Sequence, residues 1–225
     1  MTLREKYGEW GIILGATEGV GKAFCERLAK EGMNVVMVGR REEKLKELGE
    51  ELKNTYEIDY KVVKADFSLP DATDKIFAAT ENLDMGFMAY VACFGKIQDT
   101  PWEKHEAMIN VNVVTFMKCF YHYMKIFAAQ DRGAVINVSS MTGISSSPWN
   151  GQYGAGKAFI LKMTEAVACE TEKTNVDVEV ITLGTTLTPS LLSNLPGGPQ
   201  GEAVMKTAQT PEEVVDEAFE KLGKE

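Results

Sequence analysis

Tyr153 and Lys157 stand four residues apart in a stretch of helical character, so the spacing predicts that their side chains share one helix face. A cation beside a phenol favours the phenolate and lowers its pKa, which makes tyrosine a proton donor and acceptor near neutral pH. Ser140 ends an apolar run thirteen residues before Tyr153, with room for its hydroxyl to bind a substrate oxygen. Asn112 lies within Ile109-Asn110-Val111-Asn112, inside a predicted helix, where asparagine is a poor former. Such a residue asks for a role, and holding a backbone group or a water supplies one. Each member also has a plainer reading: Tyr153 as core with a satisfied hydroxyl, Lys157 as a surface charge, Ser140 as a turn residue. Their occurrence together, downstream of a nucleotide loop, favours a catalytic constellation.

That loop is Gly15-Ala16-Thr17-Glu18-Gly19-Val20-Gly21. Glycines let the backbone turn tightly and approach a pyrophosphate, and the next helix offers its N-terminal N–H groups to the charge. A glycine cluster alone is weak evidence, because any strand–helix turn can use one. Set between the first strand and a helix, it points to a dinucleotide, with contacts expected at Gly15, Thr17, Glu18, Gly19, Val20 and Gly21. The end of the second strand says which dinucleotide. NAD sites usually carry an acid there, whereas this chain has Gly39, Arg40 and Arg41, which suit the 2′-phosphate of NADP. A solvated charge pair opening a helix is the bland alternative, but cations there oppose the helix dipole. Glu18 is a contrary sign, expected near the same phosphate. Asp66 and Phe67, after the third strand, are placed to meet the adenine, although Asp66 is equally suited to capping the segment that follows. Ala92, near the end of the fourth strand, is a further expected cofactor contact.

The elements that must position these groups alternate. Strands are expected at Trp10–Leu14, Asn34–Val38, Lys61–Ala65, Phe87–Cys93, Ala134–Val138 and Val176–Leu183. Helices are expected at Val20–Glu31 and Glu42–Asn54, in two long stretches after Pro101 and Gly151, and from Thr210-Pro211 onward. Strands separated by such helices mean βαβ units: an α/β, doubly wound parallel sheet with helices on both faces, in one domain. The stretch Thr188–Gln209, with Pro189, Pro196-Gly197-Gly198 and Pro199, is expected to be a long loop serving as a lid, or a plain connection.

The whole chain of 225 residues, 44% hydrophobic and 25% charged, is long enough for a sizeable core and too apolar for disorder. With 24 basic and 33 acidic residues its net charge is −9, which disfavours nucleic acid and anionic membrane as partners. A chain this acidic that binds a phosphorylated cofactor must concentrate positive charge locally, and Arg40 and Arg41 are the expected place. The N-terminus lacks an apolar signal core and no run is long enough to span a bilayer, so a cytoplasmic protein is expected. Cys25, Cys93, Cys119 and Cys169 are widely spaced, which suggests reduced, mostly buried thiols. Neither His105 nor His122 has a second ligand at metal spacing, so no metal is expected.

Taken together, Gly15-x3-Gly19-x-Gly21, Asn112, Ser140, Tyr153-x3-Lys157, Gly184 and Thr188 resemble the pattern of the short-chain dehydrogenases/reductases over essentially the whole chain. The resemblance implies a Rossmann-like sheet and NAD(P)-dependent oxidation of an alcohol or reduction of a ketone. It implies Tyr153 as general acid/base, Lys157 on the nicotinamide ribose, Ser140 polarising the carbonyl and Asn112 supporting a proton relay. Gly184, Thr185 and Thr188 would contact the nicotinamide end. The chain departs from the family at Leu14, at Leu183, and in Tyr90–Gly95, and the stretch after Cys93 reads as a few residues short. The chain end likewise leads us to expect that a further strand and tail are missing.

Trp10–Gly19, Phe94–Trp102 and Ser145–Tyr153 also resemble a bacterial branch of that family, the NADP-dependent 7β-hydroxysteroid dehydrogenases. This implies a bile acid or steroid substrate, consistent with an apolar lid carrying Leu187, Leu191, Leu192 and Leu195. A homodimer or homotetramer is implied, formed on Trp102–Ala129 and Gly151–Lys173. Competing readings are a reductase of the same family for another ketone, such as a 3-oxoacyl thioester or another steroid position, and a regulator that binds nucleotide without catalysis. A pure binding module would need no proton donor.

Overall fold

The computed structural model describes residues 2–91, 101–145, 150–193 and 199–224. Six parallel strands form one sheet in the order β3-β2-β1-β4-β5-β6: β1 Trp10–Leu14, β2 Asn34–Gly39, β3 Tyr60–Lys64, β4 Met85–Tyr90, β5 Gly133–Ser140 and β6 Val176–Leu183. The order reverses between β1 and β4, so their carboxyl ends open a crevice there, where α/β sheets bind ligands. β2 and β4 are buried at every residue, which is why they read as unbroken apolar runs. β6, at one end of the sheet, is half-buried along most of its length.

Helices cover both faces. On one face Ile13, Val35, Met37, Phe87 and Ile136 pack under α2 Gly19–Lys30, α3 Glu42–Tyr56 and α10 Pro211–Lys221. On the other, Ile12, Leu14, Val36, Met88, Tyr90 and Val135 pack under α4 Ala72–Thr80, α6 Phe116–Gln130 and α7 Gly151–Thr171. Adjacent residues Ile12 and Ile13 therefore serve opposite layers, as the strand period of two requires.

The sequence reading missed α1 Leu3–Tyr7 and α4. Two threonines and an aspartate dilute the helical signal of α4, and docking on the sheet supplies what propensity lacks. The long stretch after Pro101 is interrupted rather than uniform: α5 Trp102–Ile109 passes through a π-helical turn, Asn110–Thr115, into α6. Thr188–Gln209 is not a bare loop. It contains α8 Pro189–Ser193 and α9 Pro199–Thr207, each opening on a proline. Proline is well placed at the first helical position, so these prolines start helices rather than punctuate a loop. Its base is clasped where Leu187 N donates to Gln209 O at 2.8 Å and Gln209 N to Thr185 O at 3.0 Å.

Among the described cysteines Cys25 and Cys119 are buried, in line with mostly buried thiols, and Cys169 is exposed on α7. Burial pushes the Cys119 thiol up to about 12 and raises Cys25 as well, so neither is a nucleophile at neutral pH. Among the described residues no helix is long and apolar enough to cross a membrane.

Candidate active site

The carboxyl end of β5 and the first half of α7 build the chemical centre. Lys157 is 1% exposed, and its Nζ donates to Val138 O at 2.8 Å. Ser139 Oγ donates to Lys157 O at 2.8 Å, so strand and helix are tied at both the side chain and the backbone of one residue. A buried ammonium is costly unless it is hydrogen-bonded, and this one is. One turn earlier, the Tyr153 ring has its centroid 5.7 Å from Lys157 Nζ. The helical spacing read from the sequence thus places phenol and ammonium together, and Lys157 is no surface charge.

Ser140 starts the short 3-10 turn Met141–Gly143. Its Oγ accepts from Thr142 N at 3.3 Å and from Thr142 Oγ1 at 3.0 Å. This turn lies directly on α7, because a Cβ at Gly154 would come within 2.6 Å of Thr142 O. Only a residue without a side chain lets the serine turn and the tyrosine helix approach so closely. Thr142 and Ser139 were not anticipated. Their signal was present as hydroxyls flanking Ser140, but their partners are tertiary.

Asn112 sits in the π-helical turn, 2% exposed. Its Nδ2 donates to Met108 O at 3.1 Å, and its buried Oδ1 has no hydrogen-bond partner among the described residues. The turn is held from the sheet by Tyr90 OH donating to Val111 O at 2.5 Å, and α7 presses on it at Gly156, where a Cβ would lie 2.8 Å from Asn112 Cβ. π turns cluster at functional sites, and the poor helix former in the sequence marks this one.

The β1–α2 loop forms a cradle for an anion. Gly15 and Gly19 have φ of 97° and 57°, and a Cβ at Gly21 would fall 2.0 Å from Gly15 O. The first turn of α2 contains no acid, and Glu18, at its N-cap, makes no side-chain cap, so the helix end presents its N–H groups outward. Val20 is buried against the core. These features fit the pyrophosphate of a dinucleotide. Across the crevice, a Cβ at Gly19 would meet Thr188 Cγ2 at 2.9 Å, so the loop and the segment after β6 come together. Thr185 is committed to the clasp with Gln209, and Gly184 has open space around it.

Arg40 and Arg41 are exposed at the end of β2. Arg41 Nη2 lies 2.8 Å from Glu18 Oε2. Thr17 faces Gly39, and a Cβ at Gly39 would stand 2.8 Å from Thr17 Oγ1. Asp66 Oδ1 accepts from Ser68 N at 3.1 Å and Ser68 Oγ at 2.8 Å, an Asx-type turn in the segment that follows β3. Phe67 stacks obliquely on Tyr90, with centroids 5.7 Å apart. Ala92, Cys93, Phe94–Thr100, Ser146–Trp149, Leu195 and Pro196-Gly197-Gly198 lie outside the described residues. A cavity of about 360 Å³, lined by residues including Gly19, Lys22, Leu187, Pro189 and Pro211, borders the phosphate loop but neither Tyr153 nor Ser140.

A family model described as short chain dehydrogenase matches residues 9–195. A 7β-hydroxysteroid dehydrogenase of Mediterraneibacter gnavus is 99% identical, over all of this chain and 87% of that protein. One from Collinsella aerofaciens is 83% identical, with the same coverage. A solved structure concerned with 7β-hydroxysteroid dehydrogenase stereoselectivity is 83% identical and superposes with a TM-score of 0.96, covering 100% of this chain and 88% of that one. The first match runs over 228 positions for the 225 residues here, so that relative carries residues inside the match that this chain lacks.

Proposed function

Because the chain belongs to the short-chain dehydrogenase family, and is thereby an oxidoreductase, we propose that it uses NADP(H) to interconvert the 7β-hydroxyl of a bile acid of the ursodeoxycholate type and its 7-oxo form. The buried ammonium of Lys157, fixed to Val138 O beside the Tyr153 ring, carries the reading. The likeness to the two bacterial 7β-hydroxysteroid dehydrogenases supports the substrate. The glycine cradle and the exposed Arg40 and Arg41 support a dinucleotide with a 2′-phosphate.

Bound NADP(H) supplies or accepts hydride at C7. Tyr153 gives a proton to the C7 oxygen in reduction and takes it back in oxidation. Lys157 favours the phenolate and orients the nicotinamide ribose. Ser140 Oγ already accepts twice from Thr142, which directs its own proton to a substrate oxygen. Asn112 Oδ1, with no hydrogen-bond partner among the described residues, holds a water that returns protons to Tyr153. Leu187, Leu191 and Leu192, from the described parts of the chain after β6, cover the steroid and exclude water from the reacting centre. Trp102, 67% exposed, and Tyr121, 59% exposed, support self-association through α5 and α6.

NADPH absorbance tests the reading. The 7-oxo bile acid is expected to consume NADPH and the 7β-hydroxy acid to regenerate it from NADP, with the 7α epimer and a 3-oxoacyl thioester inert. Turnover of the thioester without the bile acid would install the other reductase reading. Binding of NADPH with no turnover of any carbonyl would install the regulator.

A further inference from the structure

Glu18 occupies the N-cap position of α2 with extended backbone, φ −164° and ψ 171°, yet its side chain makes no cap. Glutamate is not among the residues that cap well, so the position asks for another reason. Its carboxylate instead reaches from the β1–α2 loop to the end of the neighbouring strand β2 and pairs with Arg41 at 2.8 Å. Both side chains remain open to solvent, 41% for Glu18 and 45% for Arg41. Among the described residues Arg40 makes no ion pair.

We propose that Glu18 is a specificity-determining residue: a resident counter-ion on Arg41 that a 2′-phosphate must displace, which sets how far the site prefers NADPH over NADH. The inference rests on the NADP reading above. A phosphate monoester carries close to two negative charges at neutral pH. Bound to the same guanidinium, it stands within a few ångströms of the Glu18 carboxylate. NADPH binding therefore loses an existing ion pair and gains a like-charge neighbour. Solvent keeps both penalties small, together about three- to ten-fold in affinity. A cofactor with a free 2′-hydroxyl meets the opposite situation, because a carboxylate accepts a hydrogen bond from it. The arginines and Glu18 thus pull discrimination in opposite directions, and the observed preference is their difference. A hold weakened in this way also speeds release of the spent cofactor.

Equilibrium titration tests this with NADPH, NADH and 2′,5′-ADP, the last carrying the 2′-phosphate without nicotinamide. Glu18→Gln keeps the shape and removes the charge. It is expected to tighten NADPH and 2′,5′-ADP by about three- to ten-fold and not to tighten NADH. In an Arg41→Gln background the gain is expected to shrink, because the counter-ion part is gone and only repulsion between Glu18 and the phosphate remains. Unchanged NADPH affinity, equal tightening of both cofactors, or a gain undiminished in Arg41→Gln would each overturn this inference alone. A wild-type protein that binds NADH as tightly as NADPH would overturn the NADP reading, and this inference with it.

Discussion

Lys157, packed on β5, and Arg41, just after β2, are two cations on opposite sides of the β1–β4 switch point, and they are built in opposite ways. Lys157 is 1% exposed, its ammonium is fixed to a β5 carbonyl, and its own carbonyl is fixed by Ser139. Arg41 is 45% exposed and held by a single carboxylate across a loop. Removing Lys157 from its slot means breaking hydrogen bonds in a low-dielectric interior, whereas removing Arg41 from Glu18 means exchanging one solvated partner for another. The difference follows the task. A proton-transfer group must be positioned to fractions of an ångström, which burial and backbone ties achieve. A recognition group must release its ligand each cycle, which solvent exposure allows.

The largest effect is expected at Tyr153. Tyr153→Phe keeps the ring against Lys157 and removes the proton. Turnover is expected to fall by about a thousand-fold while NADPH titration stays close to wild type. Substantial residual kcat would remove Tyr153 from its role. Conservative swaps of the two cations sharpen the contrast further. Lys157→Arg keeps the charge but must fit a planar guanidinium into a slot closed by β5 and α7, so kcat should drop about a hundred-fold with a lowered Tm. If the arginine variant kept full kcat, the slot would not be the fixed one described. Arg41→Ala, in solvent, should leave Tm unchanged and weaken NADPH by about ten-fold with kcat at saturation preserved. A Tm loss there would mean that Arg41 is structural.

The same contrast explains what was legible in the sequence. Tyr153 and Lys157 could be read because helical spacing alone brings them together, and the glycine loop because its spacing encodes its own turn. The sheet could be read because strands buried on both faces are unbroken apolar runs. The anchoring of Lys157 to Val138 O could not, because that contact joins residues 19 apart through the docking of α7 on β5. The pairing of Glu18 with Arg41 depends on β1 lying beside β2, so the sequence shows only that an acid stands near two arginines. The π turn has no residue signature beyond Asn112, since it is a hydrogen-bonding shift imposed where α7 presses on the helix. Pro189 and Pro199 are ambiguous in the sequence because proline suits both loops and first helical positions, and here they open α8 and α9. Gly39 changes meaning too. An aspartate there, a natural change toward NAD preference, meets Thr17 Oγ1 at 2.8 Å from its Cβ, so selectivity and loop packing would move together. Arg41 and Glu18 are the cleaner positions to alter.

Salt gives the gentlest test and reaches both sites in one experiment. Raising ionic strength from about 0.1 M to about 1 M shortens the screening length from about 10 Å to about 3 Å. Solvated charges feel that change and buried ones hardly do. NADPH affinity, resting in part on exposed Arg40 and Arg41, should weaken by a few-fold, and kcat at saturating NADPH should stay within about two-fold. A fall in kcat that tracks the loss of affinity would mean that the Lys157 slot is open to ions and that burial does not protect the chemistry. Affinity indifferent to salt would mean that the rim arginines contribute little charge to binding. Screening also weakens the attraction between Glu18 and Arg41, which offsets part of the loss in the wild type. Glu18→Gln lacks that compensation, so its NADPH affinity should fall more steeply with salt than that of the wild type.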